Sequence, residues 1–283
     1  MRQIYIYCDG GFGNRFNALV SGLVIAEKMG LKPLVVWPVN NWCGASYAEL
    51  FHEHREVINR ELVTFVAQKD QLQFLMVEDH LNIGAPWQSP MAMPSWDELS
   101  TYLRSADADI FYYTALIPPF IALDDVKAKV TSLPFQGGIV ASAQRFMIEH
   151  NLQAFYGVQI RKTDFGSHGA DDDNLFDLVM GRMDAKFFVC SDDKTVEDRF
   201  RLLPNVVTYV KRAYVGKRVD GTWTDPTVDH SGRIYAGNVN RNAQSVKDAL
   251  VDLIILSYSN VVRTSGSTFL STALLLKATR DPN

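Results

Sequence analysis

Four short stretches carry residue types suited to one chemistry, the binding of a diphosphate and its nucleoside. The first is Gly10-Gly11-Phe12-Gly13-Asn14-Arg15, lying between an alternating strand and an apolar helix. Glycines let backbone N–H groups approach a ligand, and a helix start favours an anion. The spacing is not G-x-G-x-x-G, so a nicotinamide-type pyrophosphate site is poorly supported, and tight packing explains the turn equally well. The second runs from Gly157 through Gln159, Arg161 and Lys162 to Asp164 at a strand end. The planar fork of an arginine suits bidentate contact with a phosphate; the alternative is a surface ion pair between Arg161 and Asp164. The third is Ser191-Asp192-Asp193, whose carboxylates can accept hydrogen bonds from ribose hydroxyls or a base N–H. The fourth is Arg263 to Phe269, at a helix start. Its hydroxyls and backbone donors suit a diphosphate, and ordinary N-capping accounts for Ser265, Ser267 and Thr268 as well.

These stretches depend on α/β elements to place them. Gln3–Cys8 alternates as a strand, and Phe16, Leu19, Val20, Leu23, Val24 and Ala26 recur at helical spacing. Gly30 stands where a C-terminal cap belongs, and Leu34–Trp37 is an apolar run before a proline. Together they form a βαβ unit, the building block of a parallel sheet. Leu62–Val66, Phe74–Val77 and Ile110–Thr114 read as strands, Trp87–Trp96 as a loop and Trp96–Arg104 as a short helix. Ser132–Gly138 carries the turn chemistry of a linker. Beyond it, Phe155–Arg161, Lys186–Cys190, Val206–Val210 and Val261–Thr264 read as strands. Ile139–His150, Ser245–Ser257 and Thr268–Leu276 read as helices. The expectation is two α/β domains, 1–135 and 136–283. All of these stretches are expected at strand carboxyl ends, where open parallel sheets place their ligands.

The bulk numbers remove several classes. At 283 residues, 47% hydrophobic and 21% charged, the chain can bury sizeable cores. A net charge of −4 argues against a nucleic-acid partner. Three cysteines without C-x-x-C spacing fit reduced thiols better than a disulfide framework or a zinc site, so a cytoplasmic protein is expected. Neither a secretion signal nor a run of ~18 apolar residues is visible. The acidic balance reverses between Arg199 and Arg241, where eight Lys/Arg stand against three Asp. A solvated face explains this, and a phosphate-facing or peripheral membrane surface is the alternative. Asp107-Ala108-Asp109 has D-x-D spacing but precedes a strand, so it reads as a turn rather than a metal site. Asp171–Asp173 reads as a solvated loop.

In order along the chain, these stretches resemble the GDP-fucose fucosyltransferases, in the nodulation-type α1,6, the α1,2 and the protein O-fucosyltransferase branches. The resemblance lies in Gly10–Leu19 with Trp37-Pro38, in Gly157–Asp164, in Phe187–Asp193, and in Ala249–Ser257 through Leu270. Residues from about 55 to 150 contribute nothing to it. It implies the GT-B arrangement, two Rossmann-like domains facing each other across a cleft, with the nucleotide held mainly by the C-terminal one. It also implies an inverting, metal-independent transfer to a glycan, lipid-linked or protein acceptor, with no cofactor beyond the donor.

Carried over residue by residue, Arg161 would bind the β-phosphate and stabilise the leaving diphosphate. Gly11, Phe12, Gly13, Asn14 and Arg15 would approach the donor from the opposite domain. Ser191, Asp192 and Asp193 fall where guanosine is read, and Ser265, Ser267, Thr268 and Phe269 where the diphosphate is bound. Gln159 stands where the family has histidine. Glutamine cannot titrate, so no acid–base role falls there, and the donor is left open to other nucleotide sugars. A catalytically silent binding protein is the rival from another class. No acceptor-activating base is identifiable, although Asp164 and His168 lie nearby in sequence.

Overall fold

A computed structural model of the chain describes residues 1–60, 72–76, 95–105, 107–163, 172–224, 237–262 and 267–280. It divides into two compact units, Met1–Pro134 and Phe135–Val228 with Ala236–Asn283. Each is built on a parallel sheet covered by helices, the mixed α/β class that the alternation of elements implies.

In the first unit β1 (Gln3–Tyr7) leads into α1 (Phe12–Met29) and returns as β2 (Lys32–Val36). The short α2 (Tyr47–Leu50) and β3 (Val57–Ile58) follow, then β4 (Leu72–Met76), α3 (Trp96–Arg104), β5 (Asp109–Tyr113) and α4 (Leu123–Thr131). The strand order is β3-β2-β1-β5-β4, and every pairing is parallel. Tyr5, Tyr7, Leu34, Val36, Phe111 and Tyr113 share one buried face of this sheet. On the other face α1 approaches so closely that a Cβ on Gly22 would stand 2.7 Å from Ile6, so only glycine fits there. That closeness seats the amino end of α1 beside the carboxyl end of β1.

In the second unit α5 (Gly137–Glu149) precedes β6 (Tyr156–Ile160), α6 (Asp172–Met180), β7 (Phe187–Ser191), α7 (Lys194–Phe200) and β8 (Val206–Val207). Then come α8 (Ala243–Leu256), β9 (Asn260–Val262) and α9 (Thr268–Arg280). The order β8-β7-β6-β9 is again all parallel. Val158, Ile160, Phe187, Val189 and Val206 form a core with Leu175 and Val179 of α6 and Val196 and Phe200 of α7.

The structure departs from the sequence reading in several elements. Helix α4 was not foreseen. It buries only Val126 and Val130, too narrow a stripe to stand out. Helix α7 was not foreseen either, because its cap, Asp193, reads equally as a ligand. Asp172 and Asp173, expected in a loop, open α6. Only Val206–Val207 of the expected Val206–Val210 strand is paired. Leu62–Val66 and the loop 87–94 lie outside the described residues.

Candidate functional site

Each sheet has one place where the chain leaves a central strand in opposite directions, and such places are where open parallel sheets hold ligands. In the first sheet it is the carboxyl end of β1, between β2 and β5. In the second it is the carboxyl end of β6, between β7 and β9. The glycine turn occupies the first, and Arg161 the second.

At the first place Gly10 sits at φ 74°, a conformation that favours glycine, and Gly11 is the extended residue before α1, with no side-chain cap. The side chain of Asn14 lies over Gly10, such that a Cβ there would meet Asn14 Nδ2 at 2.9 Å. Gly11 and Asn14 are half-buried, whereas Phe12 and Gly13 are buried. The Phe12 ring stacks on Phe16 at 5.6 Å and on Phe51 at 6.3 Å.

Arg15, expected at a ligand, is fully buried. Its guanidinium donates to the Gly10 carbonyl at 2.7 Å, the Pro38 carbonyl at 2.6 Å and Asn40 Oδ1 at 2.9 Å. It lies over the Trp37 ring at 5.2 Å and has Asp9 at 3.7 Å as counter-charge. Arg15 therefore ties the glycine turn to the loop after β2 from within, and is a positioning group rather than a surface cation.

At the second place Arg161 is the first residue past β6. It is half-buried, Lys162 is exposed and Thr163 is buried. Asp192, just past β7, holds this loop: Oδ1 accepts from the Lys162 N–H at 2.7 Å, and Oδ2 from Thr163 Oγ1 at 2.5 Å and the Thr163 N–H at 3.4 Å. Both Asp192 oxygens, expected to meet a nucleoside, thus fix the backbone that carries Arg161. Asp193 caps α7, its Oδ1 accepting from the Thr195 N–H and Oγ1, both at 2.7 Å. Ser191 is buried, and its Oγ accepts from the Asp193 N–H at 3.1 Å. Gln159 is buried within β6, opposite Cys190 of β7.

Ser267 caps α9, its Oγ accepting from the Phe269 N–H at 3.2 Å and the Leu270 N–H at 3.4 Å. Thr268 and Phe269 are half-buried in its first turn. Asp164, His168, Arg263 and Ser265 lie outside the described residues.

Beneath the second place lies a charged cluster that the sequence reading missed. Lys211 Nζ pairs with Glu197 and, at 2.8 Å, with Asp252, all three side chains at most 4% exposed. It also donates to the Ser191 carbonyl at 3.0 Å, while Glu197 Oε1 accepts from the Ser191 N–H at 2.8 Å. The Tyr214 hydroxyl donates to Glu197 Oε2 at 2.5 Å. Burial pushes the Asp252 carboxyl up to about 7, with Lys211 pulling back. Burial alone would lower the Lys211 ammonium; Asp252 and Glu197 more than offset it and hold the ammonium charged. Burial also pushes the Cys190 thiol well above its ordinary range.

The sequence did contain a signal for this cluster. Asp248 and Asp252 recur one turn apart among the apolar residues of α8, and a buried carboxylate needs a partner. Asp248 Oδ2 accepts from the Arg212 and Ala213 N–H groups at 2.7 and 2.9 Å.

Of the basic stretch Arg199–Arg241, Arg199, Arg201, Arg212, Lys217 and Arg218 are exposed, as a solvated face requires, whereas Lys211 is buried in an ion-pair cluster. Arg199 pairs with Asp173, and Arg201 with Asp198 and Thr208. Asp109 of the D-x-D spacing stands at the amino end of β5, at the opposite end of the sheet from the carboxyl end of β1, and accepts from the Gln3 N–H at 2.9 Å. Among the described residues no helix is long and apolar enough to cross a membrane.

A fold of this kind is found again in solved fucosyltransferase structures. No protein-family model and no curated protein matches the chain. Among solved structures, the NodZ α1,6-fucosyltransferase co-crystallised with GDP is similar at 18% identity and a TM-score of 0.59, over 97% of this chain and 92% of that one. Fucosyltransferase NodZ from Bradyrhizobium is similar at 17% identity and a TM-score of 0.58, with the same coverages. POFUT1 in complex with GDP-fucose is similar at 12% identity and a TM-score of 0.52, over 98% and 95%. The chain thus shares its fold with solved fucosyltransferase structures.

Proposed function

We propose that this chain is a glycosyltransferase taking its sugar from a nucleotide donor, GDP-fucose, and passing it to a hydroxyl of a glycan, lipid-linked or protein acceptor. The observation that carries the reading is Arg161, half-buried beside the switch point of the second sheet on a loop held by Asp192. It is supported by a fold shared almost end to end with NodZ and POFUT1.

In this reading residues 136–283 hold the nucleotide, residues 1–135 form the acceptor side, and the two face each other as in the GT-B arrangement. As the bond from the sugar to the β-phosphate breaks, negative charge grows on the leaving diphosphate. The Arg161 fork and the first turn of α9, at Ser267, Thr268 and Phe269, offset that charge. The acceptor hydroxyl oxygen attacks from the opposite side, its proton passing to solvent, and the configuration inverts. Phe12, Gly13 and Asn14, with Gly11, supply the wall on the acceptor side. In this reading Asp193, whose Oδ1 caps α7, accepts from a guanine N–H through its Oδ2. The chemistry proceeds without a metal, since the charge is met by a cation and helix-end N–H groups. The buried thiols Cys8, Cys43 and Cys190 suit a cytoplasmic setting.

Turnover decides it. GDP-fucose incubated with acceptor mixtures should yield GDP, and EDTA should change the rate by no more than about twofold. GDP binding without turnover on any acceptor would favour the silent binding protein to which Gln159 points. Release of UDP or CMP from other donors, in place of GDP, would move the enzyme to another nucleotide sugar.

A further inference from the structure

Two side chains bond to Ser191, the last residue of β7, and a third, Asp252, pairs with one of them. Lys211 comes from the segment after β8, Glu197 from α7 and Asp252 from α8. The Ser191 N–H is taken by Glu197 and its carbonyl by Lys211. The next residue, Asp192, takes the N–H groups of Lys162 and Thr163. From α8 to the Arg161 loop, charge-assisted hydrogen bonds joined by the Ser191–Asp192 backbone form a continuous path. One turn earlier on α8, Asp248 fixes the Arg212 and Ala213 N–H groups and so the segment that carries Lys211.

Burying an ammonium with two carboxylates is costly, and apolar side chains of similar volume usually fill such space at no loss of stability. An apolar side chain at 211 has no donor for the Ser191 carbonyl, however. We infer that Lys211, gripped between Glu197 and Asp252, is a positioning residue that sets the end of β7, and through Asp192 the Arg161 loop, for the reaction proposed above. The inference rests on the reading of Arg161 as the diphosphate ligand. The mechanical link from Lys211 to residues 161–163 stands apart from that reading and is measured separately.

The test is residue-resolved amide hydrogen exchange at pH 6 on wild type, Lys211→Met and Lys211→Arg, with GDP affinity and donor turnover measured on the same samples. Lys211→Met should speed exchange at the Lys162 and Thr163 N–H groups by about tenfold or more, with Val158 and Val189 in the sheet core unchanged. It should lower kcat for the donor by about tenfold while GDP affinity moves less than about threefold. Lys211→Arg, which keeps charge and donors, should restore much of both. If Lys211→Met does not fold, the double variant Lys211→Met/Glu197→Gln is measured. Burial favours the protonated Asp252 carboxyl, so near pH 6 the double variant carries less bare charge and still lacks the donor to Ser191. Unchanged exchange at Lys162 and Thr163 in whichever variant folds overturns the inference. Faster exchange in a protein that binds no GDP would keep the link and remove the function instead.

Discussion

Asp192 Oδ1 accepts from the Lys162 N–H at 2.7 Å. This single bond joins the carboxyl ends of the two central strands of the second sheet, and Thr163 doubles it through its hydroxyl. Charge-assisted bonds of this kind are worth roughly 1.5–3 kcal/mol each. Asp192→Ala should therefore free the Arg161 loop and lower donor kcat/KM by about 10²-fold, with the melting temperature reduced by only a few degrees. Asp192→Asn, which keeps one acceptor oxygen, should fall between. Steady-state kinetics on both variants checks the order; an Asn variant as damaged as Ala would point to direct contact between the charge and the substrate.

Arg15 provides a contrasting case, a cation whose removal should be felt first in stability. Arg15→Met leaves the Gly10 and Pro38 carbonyls without their buried donor, at roughly 1–3 kcal/mol for each, while Asn40 Oδ1 keeps the Trp42 and Cys43 N–H groups. Thermal unfolding should drop by ten degrees or thereabouts, on the scale of about 2–4 °C per kcal/mol for domains of this size. GDP affinity of the folded fraction should change less than about threefold. A variant that melts like wild type but no longer binds would return Arg15 to the ligand surface.

These two residues mark how far the sequence could be read. The βαβ start, the central strands and α3, α5, α8 and α9 were legible, because their apolar residues recur at the period of the element and cap residues bound them. The candidate stretches were legible as places, since a polar residue after a buried strand must lie at the sheet edge. What each polar group faces was not legible. Arg15 follows a glycine turn as a phosphate ligand would, yet α1 is buried all round from Phe12 to Ala26 apart from Asn14, so a charge on it must be met internally. Asp192 and Asp193 read alike in sequence. Only the path of the chain decides that one holds a loop and the other caps a helix. Lys211, far in sequence from Glu197 and Asp252, had no local pattern to reveal its partners.

Asp252 gives a pH dependence whose sign is fixed. Burial raises its folded-state pKa from 3.8 to about 7, so folding favours the protonated form. That contribution is fully present below the unfolded value and is lost as pH rises through about 7. Melting curves of wild type and Asp252→Asn should show wild type losing ground to the variant between about pH 4 and pH 7, by a few kcal/mol, with no further loss above that. A constant difference across that range would mean that Asp252 stays ionised, held by Lys211.

The central claim is that Arg161 meets the diphosphate of a guanosine donor. The most direct test is calorimetric titration of GDP into wild type, Arg161→Ala and Lys162→Ala, with UDP as comparison. Wild type should bind GDP at least about tenfold more tightly than UDP, since each base group left unsatisfied costs roughly 1–3 kcal/mol. Arg161→Ala should weaken GDP by about tenfold or more through loss of a bidentate charge-assisted contact, and Lys162→Ala should do little because its side chain is exposed. Equal binding of UDP and GDP, or a Lys162→Ala loss larger than that of Arg161→Ala, would contradict the account.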